Sequence, residues 1–235
     1  GGGATNVGVG LSRLGIKTAF LGEVGDDHPA EQILSELRKE NVAVINKDRS
    51  KRPTSYSIIL DTEKMDRAIL AYKGASNFLQ YDSILKEKLK TKWFYFASMV
   101  DSSFKTLEQL SGFAIRNDIN VYFNPSLYMA SKGIKYLRKV LDATNILCLN
   151  KEEAQALTGM QTAGCKQLLP ALQKFAKIAV ITDGAGIVHA YNGFEHYQLI
   201  PQHIDVVEST GAGDAFASGM VAGIILKQDL AEAMQ

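Results

Sequence analysis

A chain of 235 residues that is 46% hydrophobic and 22% charged has ordinary globular composition, and it is long enough for one large α/β domain with a sizeable core. Its formal net charge is +1 with acidic and basic residues interleaved, which leaves no field to hold a nucleic-acid backbone or a membrane surface. No run of about 18 apolar residues and no basic-then-apolar leader occurs, and Cys148 and Cys165 lack a CxxC or a histidine at ligand spacing, so the expectation is a cytoplasmic protein with reduced core thiols.

The chain opens on "GGGATNVGVGLSRLG", a glycine cluster that leads into a helix with no strand before it. A strand at "KTAFLGEVG" and a helix at "PAEQILSELRKEN" follow. Next come two alternating segments, "TSYSIILD" and "RAILAYKG", joined by the polar "TEKMD". They read as a hairpin over about residues 54–74, and a hairpin inserted in an α/β chain projects as a lid. Strands at "WFYFAS", "NVYFNPS", "NILCLN" and "IAVITDG" then alternate with helices at "SFKTLEQLSGFAIRN", "IKYLRKVLDA", "KEEAQALTG" and "CKQLLPALQKFAK", the last interrupted at Pro170. A second hairpin, "IVHAY" and "FEHYQLI", turns on Asn192-Gly193, a pair suited to a type I′ turn. Alternation of strand and helix predicts a mainly parallel sheet with helices on both faces, as one domain over residues 1–235. The glycine start and the end at "AEAMQ", inside a helical pattern, lead to the expectation of truncation at both ends.

The densest chemistry lies in "ESTGAGDAFASGMVAGIIL". Gly211 and Gly213 permit backbone conformations that other residues avoid, and a helix follows them, so N–H groups converge at a positive helix end and make an anion site. Asp214 in that first turn would repel a phosphate unless its charge is used, as it is when a base takes a hydroxyl proton beside an electrophilic phosphorus. The plainer alternative is a capped helix whose glycines only allow close packing. Neither GxxxxGK[ST] nor GxGxxG occurs, so on local sequence alone the plainer alternative is preferred.

Two longer stretches change that preference. "VVESTGAGDAFASGMVAGI" resembles the carboxy-terminal signature of the ribokinase-like (PfkB) family of sugar and nucleoside kinases. "GGGATNVGVGLSRLGIKTAFLGEVGDD" resembles its amino-terminal signature, and "LNKEEAQALTG" between them resembles its Asn-x-x-Glu segment. The similarity covers essentially the whole chain. It implies a three-layer α/β/α sandwich with a small β lid, ATP and Mg²⁺ as cosubstrates, a monovalent cation near the anion hole, and transfer of the γ-phosphoryl group to a primary hydroxyl. On that resemblance Asp214 is the base and the amides of Gly211, Ala212 and Gly213 form the anion hole. Gly1, Gly2 and Asn6 meet the acceptor's hydroxyls, while Thr182, Gly184 and Asn150 contact the nucleotide and Glu153 holds the metal through water. Asn150 and Glu153 also spell a capping box, and the two readings stand even.

The pattern is not followed throughout. Ile187 stands where the family's nucleotide loop has its last glycine, and Glu208-Ser209 where Asp-Thr is more usual. Asp26 and Asp27 are read as caps for the helix near Pro29, Lys73 as a solvated strand end, and Trp93 with its aromatic neighbours as core. Asn124 lies at a strand end on the ligand edge, although Tyr122 replaces the acidic residue common two positions before it. His28, His189, His196 and His203 lack mutual ligand spacing. The resulting expectation is a kinase for a ribose- or fructose-like sugar, with an adenosine-like nucleoside acceptor or a non-catalytic binding relative as alternatives. The exposed lid also suggests a homodimer.

Overall fold

The computed structural model describes residues 2–45, 49–61, 67–202, 205, 209–226 and 229–235. Gly1, the "TEKMD" turn, His203 and Glu208 therefore lie outside the described residues.

The chain begins with α1 (Gly3–Arg13), β1 (Ala19–Phe20), α2 (His28–Lys39) and β2 (Ala43–Val44). The ribbon β3 (Tyr56–Asp61) and β4 (Arg67–Tyr72) follows, and short 3-10 turns lead to β5 (Trp93–Phe96). Then come α3 (Ser102–Arg116), β6 (Asn120–Phe123), α4 (Leu127–Ala130), α5 (Gly133–Leu141), β7 (Ile146–Asn150), α6 (Lys151–Thr158), α7 (Cys165–Gln173) and β8 (Ile178–Thr182). The chain closes with β9 (Val188–Tyr191), β10 (His196–Leu199), α8 (Ala212–Ile225) and α9 (Leu230–Ala233).

Strands β5, β6, β7 and β8 run parallel in a six-stranded sheet of order β10-β9-β8-β7-β6-β5, to which β9 and β10 add an antiparallel edge. Alternation along the strands decides which helices cover which face. Val121, Phe123, Leu147, Leu149, Ala179 and Ile181 point into a core shared with α3, α5, α6 and α7. Tyr122, Ile146, Cys148 and Val180 point the other way, against Val7 and Leu11 of α1 and Ala217, Met220 and Val221 of α8. The expected three-layer α/β/α sandwich is present. Each fully buried Leu, Ile or Phe contributes about 1.5–3 kcal/mol of transfer free energy to it.

Three local expectations are corrected. The strand at "KTAFLGEVG" shrinks to Ala19–Phe20, because β1 pairs only with β2 among the described residues and forms a sheet apart from the main one. Helix α7 runs through Pro170 instead of stopping there. One backbone bond is forgone, and the burial of Leu168, Leu169 and Leu172 on the core side offsets it. The second hairpin pairs Tyr191 with His196, so its loop has four residues rather than the two of a type I′ turn. Asn192 organises that loop through its side chain, whose Oδ1 accepts from the amides of Phe194 at 2.9 Å and Glu195 at 2.8 Å.

The ribbon is a separate two-stranded antiparallel sheet with in-register pairing from Tyr56↔Tyr72 to Asp61↔Arg67. Tyr56, Ile58, Ile59, Leu60, Leu70 and Tyr72 are all exposed, so apolar side chains from both faces of β3 meet solvent. No described helix is long and apolar enough to cross a membrane.

Candidate active site

Helices α1 and α8 lie side by side and bring their N-terminal ends together. Small residues permit this: a Cβ on Gly10 would lie 2.4 Å from Ser218 Oγ and 2.8 Å from its Cβ, so the helices cross too closely there for any larger residue. One turn earlier the same crossing places Asn6 against Asp214, whose Oδ2 accepts from Asn6 Nδ2 at 2.7 Å. The Asp214 carboxylate is thereby oriented by α1. Asn6, expected only to meet an acceptor, also positions the expected base.

Helix α8 starts without a side-chain cap, on Gly211 in the left-handed conformation at φ 86°. A β-carbon is strained there, which accounts for glycine at the turn. Of the amides expected to form an anion hole, that of Ala212 donates back to the carbonyl of Ser209 at 3.2 Å. Asp214 is the acidic residue of the first turn. A groove of about 620 Å³ between α1, α2 and α8 is lined by Asn6, Gly10, Leu37, Gly211 and Asp214 among others. Leu37 belongs to α2, which nothing in the sequence had placed there.

The second group sits at the C-terminal ends of β7 and β8, where Asn150 and Thr182 are direct neighbours in the sheet register. Asn150 caps α6: its Oδ1 accepts from Glu153 N at 2.8 Å, and Glu153 Oε2 accepts from Asn150 N at 2.8 Å. The capping box is thus formed in full. Burial pushes the Glu153 carboxyl up to about 7, with the amide of Asn150 pulling it back and Glu152 adding to the rise. After Thr182 the chain turns tightly, with Gly186 N donating to Asp183 O at 2.7 Å and Ile187 partly exposed beyond it. Lys151 Nζ donates to Asp183 Oδ2 at 3.0 Å, tying the first turn of α6 to this loop.

Tyr95, near enough for the charges of both Asp214 and Glu153 to act on its phenol, was not anticipated. Its hydroxyl donates to Asn124 Oδ1 at 3.2 Å, and Asn124 Nδ2 donates to the carbonyl of Cys148 at 2.7 Å. Burial, then the charge of Asp214, push the phenol well above its ordinary value, so it stays a neutral donor. Its place in "WFYFAS" reads as core, and only the outward hydroxyl separates it from its neighbours. At the sheet edge His189 of β9 and His196 of β10 stack, with Nδ1 of the first 3.1 Å from Nε2 of the second. Among the described residues no three His, Cys, Asp or Glu side chains gather as a metal site. A single carboxylate, Glu153, is a donor set that fits Mg²⁺, which keeps much of its water and needs few protein ligands.

Comparison with known proteins bears on the family and the fold. An uncharacterized sugar kinase from Archaeoglobus fulgidus is 27% identical over 239 residues, a span that takes in 95% of this chain and 89% of that protein. The adenosine kinase of Sinorhizobium meliloti superposes with a TM-score of 0.91 at 23% identity, covering 100% of this chain and 74% of its own. A fructokinase from Xylella fastidiosa, solved with bound ATP, superposes with a TM-score of 0.84 at 22% identity over 100% of this chain and 76% of its own. The profile of the pfkB family of carbohydrate kinases matches residues 1–235; the chain belongs to that family and is a carbohydrate or nucleoside kinase, a phosphotransferase.

Proposed function

We propose that this kinase moves the γ-phosphoryl group of ATP to a primary hydroxyl of a ribose- or fructose-like sugar. The observation that carries the reading is the Asp214 carboxylate, held by Asn6 at 2.7 Å in the first turn of an uncapped helix that begins on a left-handed glycine. A base and a cluster of N–H donors within one helical turn suit a reaction in which a hydroxyl loses its proton while charge builds on a phosphoryl group.

In the proposed step the acceptor oxygen bonds to the γ-phosphorus as the bond to the bridging oxygen breaks, ADP leaves, and the hydroxyl proton passes to Asp214. The amides of Gly211, Ala212 and Gly213 face the transferring group, which requires the Ala212 N–H to turn from Ser209 when a phosphate arrives. Gly1, Gly2 and Asn6 hold the acceptor, and Asn suits a polyol because it both donates and accepts. Thr182, Gly184 and Asn150 line the nucleotide side, with Glu153 placed to hold Mg²⁺ through water. Bound Mg²⁺ supplies neutralisation of phosphate charge, and a monovalent cation near the anion hole is part of the same proposal. The ribbon over about residues 54–74 acts as a lid that excludes water which would otherwise hydrolyse ATP. Its exposed apolar side chains gain cover by pairing with a second copy, as a homodimer.

The test is ADP release with Mg·ATP across a panel of free pentoses, hexoses and ribonucleosides. Release that depends on a free sugar supports the proposal. Release with nucleosides alone replaces it with the adenosine-like reading, and none with any acceptor refutes it in favour of a non-catalytic relative.

A further inference from the structure

The residue pair "DD" before α2 carries more than a helix cap. Asp27 does cap α2, its Oδ1 accepting from Ala30 N at 3.1 Å. The same carboxylate reaches across the fold to the first leg of the ribbon. Oδ2 accepts from Thr54 N at 2.7 Å and Oδ1 from Thr54 Oγ1 at 2.5 Å. That hydroxyl in turn accepts from Gly25 N at 2.9 Å, and Ser50 N donates to Val24 O at 2.9 Å. Thr54 is 4% exposed, two residues before β3 begins.

The two legs are also tied to one another and to the sheet edge. Ala75 N donates to Pro53 O at 2.9 Å, Ser55 Oγ donates to Lys73 O, and the Arg52 guanidinium lies 3.7 Å over the Phe78 ring. Ser103 Oγ donates to Ser76 O at 2.7 Å and Asn77 Nδ2 to the Asp101 carboxylate, which fixes the second leg to the start of α3. That start follows the C-terminal end of β5, where Ala97 lies 3.8 Å from a Cβ built on Gly3 beside Asp214. The second leg is thus fixed to the segment that follows β5, close to Gly3 and Asp214, and the first leg is pinned by one carboxylate.

We infer that Asp27 is a positioning residue for the lid: through Thr54 it sets the angle at which the β3–β4 ribbon stands over the acceptor, and so governs acceptor affinity and exclusion of water. The catalytic consequence rests on the kinase reading; the clamp itself does not. The hydrogen bonds from Thr54 hold the Asp27 carboxyl below the usual carboxylate range, so it stays an acceptor throughout the neutral region.

Asp27→Asn keeps a good helix cap while removing the charge, and Thr54→Val removes the hydroxyl from the ribbon side while leaving the cap untouched. Each weakens a charge-assisted bond to the pinned leg, so each is expected to raise acceptor KM and acceptor-independent ATP hydrolysis about tenfold. The maximal rate with saturating acceptor changes less than about twofold, as expected when only uniform binding is lost, and Thr54→Ser restores the unmodified values. Amide hydrogen exchange gives an arm independent of activity: Thr54, β3 and β4 lose protection in both variants while β5 to β8 keep theirs. Unaltered exchange in the ribbon of both variants overturns the inference, as does protection lost throughout α2 and the six-stranded sheet. If the unmodified protein phosphorylates no acceptor, the kinase reading fails and the exchange result alone decides the clamp.

Discussion

Replacing Asp214 with Asn changes one oxygen for a nitrogen at the point on which the proposed chemistry turns. The packing survives, because Asn has nearly the same volume and its amide oxygen still accepts from Asn6 Nδ2, now 2.7 Å from Asp214 Oδ2. What is lost is a lone pair able to take a proton and the charge assistance of that bond. A positioned general base is worth about 10²–10⁴-fold, so kcat is expected to fall by that factor, about 2.7–5.5 kcal/mol in the barrier. The fold loses little, since a neutral hydrogen bond in place of a charged one costs only about 1 kcal/mol. Nucleotide affinity is expected to hold or rise, because a negative charge has left the helix end proposed to receive phosphate. The assay is steady-state ADP release at saturating acceptor, beside nucleotide binding by calorimetry, on protein whose mass excludes deamidation back to Asp. Near-normal turnover by such a preparation would falsify the assignment of Asp214 as base.

Other expectations follow from packing and burial. Gly10→Ala brings a methyl to 2.4 Å from Ser218 Oγ, so despite a helix-propensity gain near 1 kcal/mol it is expected to destabilise by about 1–3 kcal/mol in urea unfolding, with Ser218→Gly restoring stability. A stabilised Gly10→Ala protein contradicts the close crossing of α1 and α8. Burial pushes the Cys148 thiol up to about 12, so it is expected to escape alkylation by iodoacetamide at pH 8 in the native protein and to react after denaturation, as read by mass spectrometry. The sign is that of a raised folded-state pKa: the neutral thiol's stabilisation is full below the unfolded value and is lost as pH climbs through the folded one. Ile58→Lys, at an exposed position of the ribbon, is expected to turn the proposed homodimer into monomers in analytical ultracentrifugation while preserving the far-ultraviolet circular dichroism. A monomeric unmodified protein removes the proposed lid contact.

Local patterns were informative where one interaction dominates. The apolar runs at "NILCLN" and "IAVITDG" become β7 and β8, and Asn150 with Glu153 becomes the capping box that their spacing spells. These features depend on neighbours within a few residues. The shortness of β1 depends instead on which strand lies beside it, and the continuation of α7 past Pro170 on which core it faces, so neither is visible locally. The four-residue loop at Asn192 shows the same limit, since Asn-Gly favours one turn while the register of β9 with β10 selects another.

At the site the division is similar. The sequence by itself determined the residue types: glycines that permit a left-handed helix start, a carboxylate in the first turn, an amide near the start of α1. It also determined the family, through two signatures far apart in the chain. Only the tertiary structure decided that Asn6 and Asp214, 208 residues apart, share a hydrogen bond, that the Tyr95 hydroxyl bonds Asn124, and that Asp27 reaches the foot of the ribbon. The reason is physical. A backbone conformation is set by adjacent atoms, whereas a side-chain partner across the fold is set by how closely two helices can approach, and here that distance is governed by a glycine at position 10 facing a serine at position 218.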